Sequence, residues 1–227
     1  MCNTPKAERK AKYEDEQRKL WQTAIHETYD EVSQLVDDDE AFRYIMDRIK
    51  TRNSMRPGNS VYRRLMVWYG YRAFAGIRKF LDKDGAQTHG LRALLLKVAK
   101  NPVYLSRSWF VSAYLADLGI TQYDDVADRE FDRQVGAGEP TLTEEMVNED
   151  IHVLNEFADV ILPAVNQTLL HMQKNPTVTE FPTWQEIHDA IATIAKIWRK
   201  YEMLLTQMER PLGNSPITKK DIDIAFP

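Results

Sequence analysis

The sequence predicts an all-α protein: a helical bundle of about seven helices, with two long paired helices in its C-terminal half. Apolar residues recur at steps of three and four along most of the chain, which is the period of a helix that buries one face. No segment alternates polar and apolar residues as a half-buried strand does. With 227 residues, 43% hydrophobic and 28% charged, the chain can form a sizeable core.

The first predicted element is a highly charged helix whose apolar stripe lies only in its second half. That stripe consists of Trp21, Ala24, Thr28, Val32 and Leu35. A shorter helix is predicted around residues 42–49. We therefore divide the chain into a charged N-terminal helix at residues 1–37, a bundle at residues 38–209 and a C-terminal tail at residues 210–227.

The third predicted helix, residues 59–82, has an unusually wide apolar face. One stripe comprises Tyr62, Met66, Tyr69, Ala73, Ile77 and Phe80, and a second comprises Val67, Tyr71, Phe74 and Leu81. A face this wide belongs in the core. Two short helices follow: a leucine-rich one that Pro102 stops, and one from about Ser106 to Gly119. The acidic residues 119–140 are predicted to form an irregular crossover.

Two long helices complete the predicted bundle, and each begins at a capping box. Thr183 and Glu186 have the spacing that satisfies the free backbone donors of a helix start, and Thr141 with Glu144 repeats it. The predicted spans are residues 142–173 and 184–209. Their heptad-like apolar spacing and short connection predict antiparallel packing. The expected contact pairs Ile151, Leu154, Ile161 and Val165 with Ile191, Ile194, Trp198 and Tyr201.

The net charge of −4 conceals a strong asymmetry along the chain. Residues 43–107 carry fifteen Lys or Arg and three Asp, a net charge of +12, whereas residues 1–42 carry −5 and residues 108–227 carry −11. A basic segment of this kind is typical of a surface that binds nucleic acid or another anion. The alternative is that basic and acidic helices lie side by side and neutralise each other.

Composition and motifs exclude several classes of protein. Cys2 is the only cysteine, which excludes a disulfide-stapled scaffold and a Cys-based zinc site. The N-terminus lacks the apolar segment of a signal peptide, so we expect a cytoplasmic protein with no membrane contact. Phosphate-loop, zinc-helix, nucleophile-elbow and calcium-loop patterns do not occur, so we expect neither a cofactor nor a metal.

Three short segments carry a family resemblance. They are Ile77-Arg78-Lys79-Phe80-Leu81-Asp82, the leucine-rich helix from Leu91 to the Asn-Pro at Pro102, and Val165-Asn166-Gln167-Thr168-Leu169-Leu170-His171. Together residues 60–205 resemble the HEPN superfamily, specifically the HEPN-like domains related to abortive-infection proteins of the U class. The resemblance implies a helical domain of a bacterial defence or toxin-type system, with RNA or a nucleotide as ligand and a homodimer or a partner protein as its assembly.

The resemblance also implies metal-independent RNA cleavage by an Arg that precedes a His by four to six residues. The His exchanges a proton with the ribose 2′-hydroxyl or the leaving oxygen, and the Arg stabilises charge on the phosphate. His171 and Asn166 match this pattern, but Val165 occupies the position of the Arg. We therefore expect little or no ribonuclease activity. The alternative role for His171 is that of a helix-end residue stabilised by the C-terminal carbonyl groups.

Arg78 is the predicted substitute for the missing Arg, because it lies on an apolar stripe where a guanidinium needs a partner. The alternative is an ion pair with Asp82, four residues on. The predicted RNA- or nucleotide-binding set is Arg64, Trp68, Arg72 and Lys79. Its first three members share a face on which a cation–π stack is expected, an arrangement that suits RNA.

The sequence is compatible with three alternative functions. The leading hypothesis is a catalytically degenerate HEPN-like protein that binds RNA, a nucleotide or a protein partner. The second is a metal-independent endoribonuclease that uses His171 with a substitute Arg. The third is a helical scaffold that only dimerises through the seam from Trp184 to Met208. Salt dependence separates the first two from the third, because contacts to phosphates weaken as salt rises.

Overall fold

The fold is all-α, as predicted. The computed structural model describes residues 5–52, 60–82, 90–117, 119, 125–166 and 181–213. Across these ranges the chain forms eight α-helices, one 3-10 helix and no strand, apart from an isolated antiparallel bridge between Ser106 and Thr141. The helices are α1 (Pro5–Glu27), α2 (Tyr29–Arg52), α3 (Ser60–Leu81), α4 (Leu91–Val98), the 3-10 helix (Pro102–Tyr104), α5 (Arg107–Asp117), α6 (Asp125–Val135), α7 (Glu144–Val165) and α8 (Trp184–Thr206).

The chain divides into two compact units. Unit 1 comprises Met1–Thr28, Lys83–Val153 and Lys196–Arg210, and unit 2 comprises Tyr29–Asp82, Leu154–Ala195 and Pro211–Pro227. Helices α7 and α8 therefore contribute residues to both units. The boundary predicted after residue 37 falls inside α2, whereas the division into units falls after Thr28.

Thr28 separates α1 from α2. The predicted stripe is confirmed, because Trp21, Ala24, Thr28, Val32 and Leu35 are all buried. A separate short helix around residues 42–49 is wrong, since α2 runs without a break from Tyr29 to Arg52. The Thr28 hydroxyl donates a hydrogen bond of 2.9 Å to the carbonyl oxygen of Ile25, and this bond to the preceding turn accompanies the end of α1.

The two long C-terminal helices begin in different ways. At α8 the Thr183 N–H donates to Glu186 Oε2 at 2.6 Å, and the Glu186 N–H donates to Thr183 Oγ1 at 3.2 Å, which confirms the predicted capping box. At α7 the cap is Thr143, whose Oγ1 accepts a hydrogen bond of 3.3 Å from the backbone three residues on. The predicted cap at Thr141 is wrong, because Thr141 pairs with Ser106 in the bridge.

The acidic crossover contains a helix, α6, where the sequence predicted an irregular segment. Its buried residues are Ala127, Phe131 and Val135. They recur at steps of four, so one face of α6 is apolar although most of its residues are charged. Gly136 and Gly138 follow with φ angles of 127° and 79°, which favour glycine, and they end the helix. The prediction of an irregular segment was wrong because it followed from the many acidic residues, and the apolar stripe of α6 has only three members.

In unit 1, α1 packs against α4 and α5 packs against α6. Arg107 fastens α5 to α6. Its Nε donates to the carbonyl oxygen of Glu139 at 2.9 Å, one terminal nitrogen donates to Asp128 Oδ1 at 3.1 Å, and the other donates to Asp132. The guanidinium carbon also lies 4.9 Å from the ring centre of Phe131. Here the acidic crossover neutralises a residue of the basic segment.

In unit 2, α2 packs closely against α3. An added Cβ at Gly76 would lie 2.7 Å from Leu35 Cδ1, so any larger residue here requires the Leu35 side chain to move. The first stripe of α3 is buried at Tyr69, Ala73, Ile77 and Phe80. The second stripe is buried at Leu81 but exposed at Val67 and Tyr71, by 50% and 45%. The prediction that the whole face lies in the core is therefore wrong.

Helix α8 ends at Thr206 rather than at residue 209, because Gln207 adopts a φ of 57°. All eight residues predicted to join α7 and α8 are buried. Within unit 1, Asp150 of α7 accepts hydrogen bonds from the Tyr201 hydroxyl at 2.9 Å and from Lys200 Nζ at 2.7 Å. These bonds connect the two helices in unit 1, and antiparallel packing along their full length stays a prediction.

Candidate functional site

The structure describes only part of the set of residues predicted for catalysis. His171 lies outside the residues that the structure describes, and Asn166 is exposed just after α7. Val165 is fully buried. The position at which the family carries its Arg therefore belongs to the hydrophobic core of this chain. A guanidinium placed there would lose its hydration, so Val165→Arg is not a simple restoration of the family pattern.

Three of the predicted basic residues are held by carboxylates. The pairs are Arg78 with Asp82 at 3.9 Å, Arg72 with Asp38 at 2.9 Å, and Lys79 with Glu31. The first is the ion pair that the sequence offered as the alternative role of Arg78. Arg72 and Lys79, like Arg107, pair with acidic residues outside residues 43–107, so internal complementarity offsets part of the +12 charge. For these three residues the alternative holds, in which basic and acidic helices neutralise each other.

Arg64 and Trp68 do lie together. They line a surface hollow of about 450 Å³ with Arg63, Val67 and Tyr71, which we call the arginine–tryptophan hollow. Both arginines are exposed, and Trp68 is 54% exposed. The predicted stack is wrong for Arg72, which bonds to Asp38 and does not line the hollow. Helical spacing explains the grouping, because residues three and four apart share one face of α3.

An apolar hollow of about 260 Å³ adjoins the arginine–tryptophan hollow. Val67 and Tyr71 line both hollows. The other lining residues of the apolar hollow are Met66, Gly70, Phe74, Phe181 and Trp184. Gly70 faces the indole. An added Cβ at this position would lie 3.6 Å from Trp184 Cη2, an ordinary contact distance.

Unit 2 also contains a polar cluster that the sequence did not predict. Asp39 Oδ1 accepts hydrogen bonds from the Tyr69 hydroxyl and from His188 Nδ1, and the Tyr69 oxygen lies 3.4 Å from His188 Nδ1. We call these three residues the Asp39 centre. Because a carboxylate only accepts hydrogen bonds, we assign a proton to Nδ1 of the imidazole. Asp39 is only 5% exposed, so these two donors replace the water that its charge has lost.

Aromatic rings enclose the Asp39 centre. The rings of Phe42 and Tyr69 are stacked, with centroids 3.8 Å apart and planes inclined by 4°. The Trp184 ring lies 5.4 Å from Phe42 and 5.6 Å from Tyr69. Burial, aided by the hydrogen bond to Asp39, raises the pKa of Tyr69 above its ordinary value. The hydroxyl therefore keeps its proton and remains a donor to Asp39 at neutral pH.

His188 connects the Asp39 centre to a third hollow, of about 420 Å³, which we call the histidine hollow. Its other lining residues are Phe42, Arg43, Met46, Asp47, Lys50, Trp184 and Gln185. The His188 side chain is 15% exposed. Since Nδ1 is bound to Asp39, Nε2 on the opposite edge of the ring is the nitrogen left for a ligand. Among the described residues, no group of three or more His, Cys, Asp or Glu could hold a metal ion.

A signal for Asp39 exists in the sequence. Val32, Leu35, Asp39 and Phe42 follow one another at steps of three and four, so Asp39 lies within the apolar stripe of α2. A carboxylate in such a stripe needs a partner. That partner, His188, is 149 residues away, and sequence spacing does not identify it. The family pattern concerns only the residues directly before a histidine, so it does not point to Asp39 as a partner of His188.

Comparisons with family models, with curated proteins and with solved structures gave no match to this chain. In the part of the chain that the structure describes, every helix is too short or too polar to cross a membrane. Function is therefore inferred from the geometry of unit 2, where the apolar hollow shares Val67 and Tyr71 with the arginine–tryptophan hollow and shares Trp184 with the histidine hollow.

Proposed function

We propose that this protein binds single-stranded RNA through the arginine–tryptophan hollow. The observation that carries the proposal is the exposure of Trp68 next to Arg63 and Arg64 on one face of α3. Proteins that bind single strands combine aromatic rings, on which bases stack, with cations that neutralise phosphates. Trp68 and Tyr71 supply the rings and the two arginines supply the cations.

The apolar hollow supports the same proposal. It continues from the arginine–tryptophan hollow through Val67 and Tyr71, so a base displaced from Trp68 has an adjoining apolar surface. The lining residues of the two hollows are mainly aromatic and aliphatic, and their polar groups are the guanidiniums of Arg63 and Arg64, the Tyr71 hydroxyl and the indole N–H groups of Trp68 and Trp184. None of these lining side chains is an amide or a carboxylate. We therefore expect binding that tolerates different sequences and weakens strongly as salt rises.

The proposal has two further parts. The first is that the chain is a HEPN-like protein of a bacterial defence or toxin-type system, and the second is that it binds RNA without cleaving it. The helical fold and the resemblance over residues 60–205 support the first part. The valine at position 165, which is buried, and the pairing of Arg78 with Asp82 support the second, because Val165 has no guanidinium and that of Arg78 already has a carboxylate partner. We accordingly prefer RNA binding to the ribonuclease alternative.

The scaffold alternative has less support. Its seam consists of Trp184, Ile187, Ile191, Ile194, Trp198, Tyr201, Leu205 and Met208. Only Trp184 and Met208 are exposed, by 36% and 50%, and the six residues between them are buried within the chain. The seam therefore offers little apolar surface to a second copy.

Fluorescence anisotropy with a labelled oligouridylate tests the proposal. Trp68→Ala should lower the affinity roughly 5- to 150-fold, the effect of losing one base stack. Arg64→Ala should reduce the slope of log affinity against log salt by about 0.7, the effect of losing one phosphate contact on a single strand. The matched control is Arg72→Ala on the same helix, which should leave the affinity unchanged because Arg72 is bonded to Asp38.

Two results would contradict the proposal. One is no binding of the unmodified protein at low salt. The other is equal affinity of the Trp68→Ala and Arg72→Ala variants. Gel analysis of the RNA after incubation tests the absence of cleavage, and the RNA should stay intact with and without a chelator.

A further inference from the structure

The histidine hollow differs in chemistry from the RNA surface. Arg43, Asp47 and Lys50 follow Asp39 on α2 at steps of four, four and three, so α2 places all four on one face. Arg43 and Lys50 are exposed and line the hollow together with a single carboxylate, Asp47. The rim therefore carries a net positive charge, which favours an anion.

The inner wall of the hollow is aromatic. Phe42 is only 4% exposed and is stacked on Tyr69, and Trp184 lies 5.4 Å from Phe42 at an inclination of 45°. Trp184, which is 36% exposed, therefore offers the main apolar face to a flat group, and Phe42 completes the wall beside it. His188 lies beside them, with ring centres of Phe42 and His188 separated by 6.3 Å. The volume of about 420 Å³ falls within the range of small-ligand sites, roughly 300 to 1,000 Å³.

The Asp39 centre fixes how the imidazole is presented. Asp39 holds Nδ1, and Tyr69 occupies the same carboxylate oxygen. This arrangement sets the orientation of the His188 ring before any ligand arrives, as second-layer carboxylates do for histidines in many binding sites. A buried carboxylate, a locked imidazole, two aromatic faces and a cationic rim therefore converge on one hollow.

We propose that the histidine hollow binds a small ligand in which a flat unsaturated ring is joined to an anionic group. The ring lies against Phe42 and Trp184, the anion meets Arg43 and Lys50, and His188 Nε2 hydrogen-bonds the ligand. Asp39 is a positioning residue that acts through His188. Nucleoside phosphates and aromatic carboxylates share this chemistry. The inference does not depend on RNA binding, because Trp68, Arg63 and Arg64 do not line the histidine hollow.

Calorimetric titration of the full chain with four probes tests the ligand class. Adenosine 5′-monophosphate and indole-3-carboxylate each join a ring to an anion, adenosine has only the ring, and inorganic phosphate has only the anion. At least one of the first two should bind roughly tenfold or more tightly than both single-feature probes. Comparing the affinities of adenosine 5′-monophosphate and indole-3-carboxylate shows whether the anionic group of the ligand is a phosphate or a carboxylate. If neither joined probe exceeds the single-feature probes, the proposal is wrong.

The His188→Asn variant separates a role of His188 in ligand binding from a role in the fold. In His188→Asn the side-chain amide can replace Nδ1 at Asp39 but cannot reach the position of Nε2. We expect this variant to keep a cooperative thermal transition and to lose roughly tenfold or more in affinity for the tighter joined probe. Unchanged affinity in a folded His188→Asn variant would show that His188 only serves the fold.

Lys50→Gln provides a second test if His188→Asn does not fold. Because Lys50 is exposed, its replacement should not affect folding. It should weaken the joined probe several-fold and leave adenosine binding unchanged, because only the anion contacts Lys50. Equal effects on both probes, or no effect on either, would contradict the placement of the anion. Arg72→Ala is the matched control, since Arg72 lines none of the three hollows, and it should leave the affinity for all four probes unchanged.

Discussion

The indole Nε1 of Trp198 donates a hydrogen bond of 2.9 Å to Oγ1 of Thr28, and both residues are buried. The same Thr28 hydroxyl donates to the carbonyl oxygen of Ile25. One hydroxyl thus satisfies the buried indole and a carbonyl of the last turn of α1. This double role explains why a threonine occupies an otherwise apolar stripe.

Replacing Trp198 should be among the most destabilising changes in unit 1. Trp198→Ala is expected to lower the free energy of unfolding by about 3 to 5 kcal/mol, because it leaves a large cavity. Thr28→Val should cost about 1 to 3 kcal/mol, because it leaves the indole N–H without its acceptor. Urea denaturation measures both values. A loss below about 1 kcal/mol for Trp198→Ala would be incompatible with its burial.

Two glycines of α3 should respond in opposite directions to alanine. Gly70→Ala should be neutral or stabilising by up to about 1 kcal/mol, because alanine favours helix and the nearest atom is 3.6 Å away. Gly76→Ala should be destabilising by about 1 kcal/mol or more, because its methyl group would overlap Leu35. In a Leu35→Ala background the cost of Gly76→Ala should disappear. A cost that persists in that background would assign it to something other than Leu35.

Glu202 should make stability depend on pH. Burial raises the pKa of Glu202 above its ordinary value of 4.5, although hydrogen bonds from Arg210 oppose the shift. The folded state then holds the proton more tightly, so stability is greatest below pH 4.5 and falls as pH rises through the raised pKa. Glu202→Gln cannot titrate. The variant should therefore gain stability relative to the unmodified protein as pH rises through the raised pKa of Glu202. Parallel stability curves from pH 4 to 8 would contradict the raised pKa.

Arg107 should contribute stability that is lost in acid. Its hydrogen bond and that of the Gly138 N–H lower the pKa of Asp132 below the ordinary value of 3.8. The Asp132 contribution is therefore present above pH 3.8 and is lost as pH falls through the lowered pKa. Arg107→Met should be less stable than the unmodified protein at pH 7, and the difference should narrow below pH 3.8.

A surface arginine of α6 provides the control for Arg107. Arg129 is 67% exposed and pairs with Asp125, which is 69% exposed. Exposed ion pairs contribute little, so Arg129→Met should change thermal stability far less than Arg107→Met at pH 7. Similar effects of the two substitutions would indicate that Arg107 is not a special connection between α5 and α6.

Local spacing was sufficient for most of the helices. The apolar steps of α4 and α8 and the capping box at Thr183 were predicted, because a helix start and its buried face depend on residues within one or two turns. The start of α7 was wrong by two residues, since Thr141 is drawn into the bridge with Ser106. Helix α6 was missed because its apolar stripe is only three residues long.

The functional surfaces were less accessible to sequence reasoning. Arg64 and Trp68 were predicted together, since both lie on one face of one helix. Arg72 was wrongly placed in the same set, because helical spacing puts it on that face of α3. Its partner Asp38 lies on a different helix, and helical spacing does not reveal such a pair. The Asp39 centre was missed for the same reason, since its three residues lie on three different helices. Contacts between distant segments depend on the packed fold rather than on the local pattern.

Trp184 lines both the apolar hollow and the histidine hollow, and Gly70 leaves ordinary contact space beside its ring. Its indole is thus a partition with a compartment on either side. A ligand that displaced the ring to enlarge one compartment would narrow the other. Occupancy of the two compartments would then be coupled with negative sign, and by reciprocity each such ligand would lower the affinity of the other by the same factor.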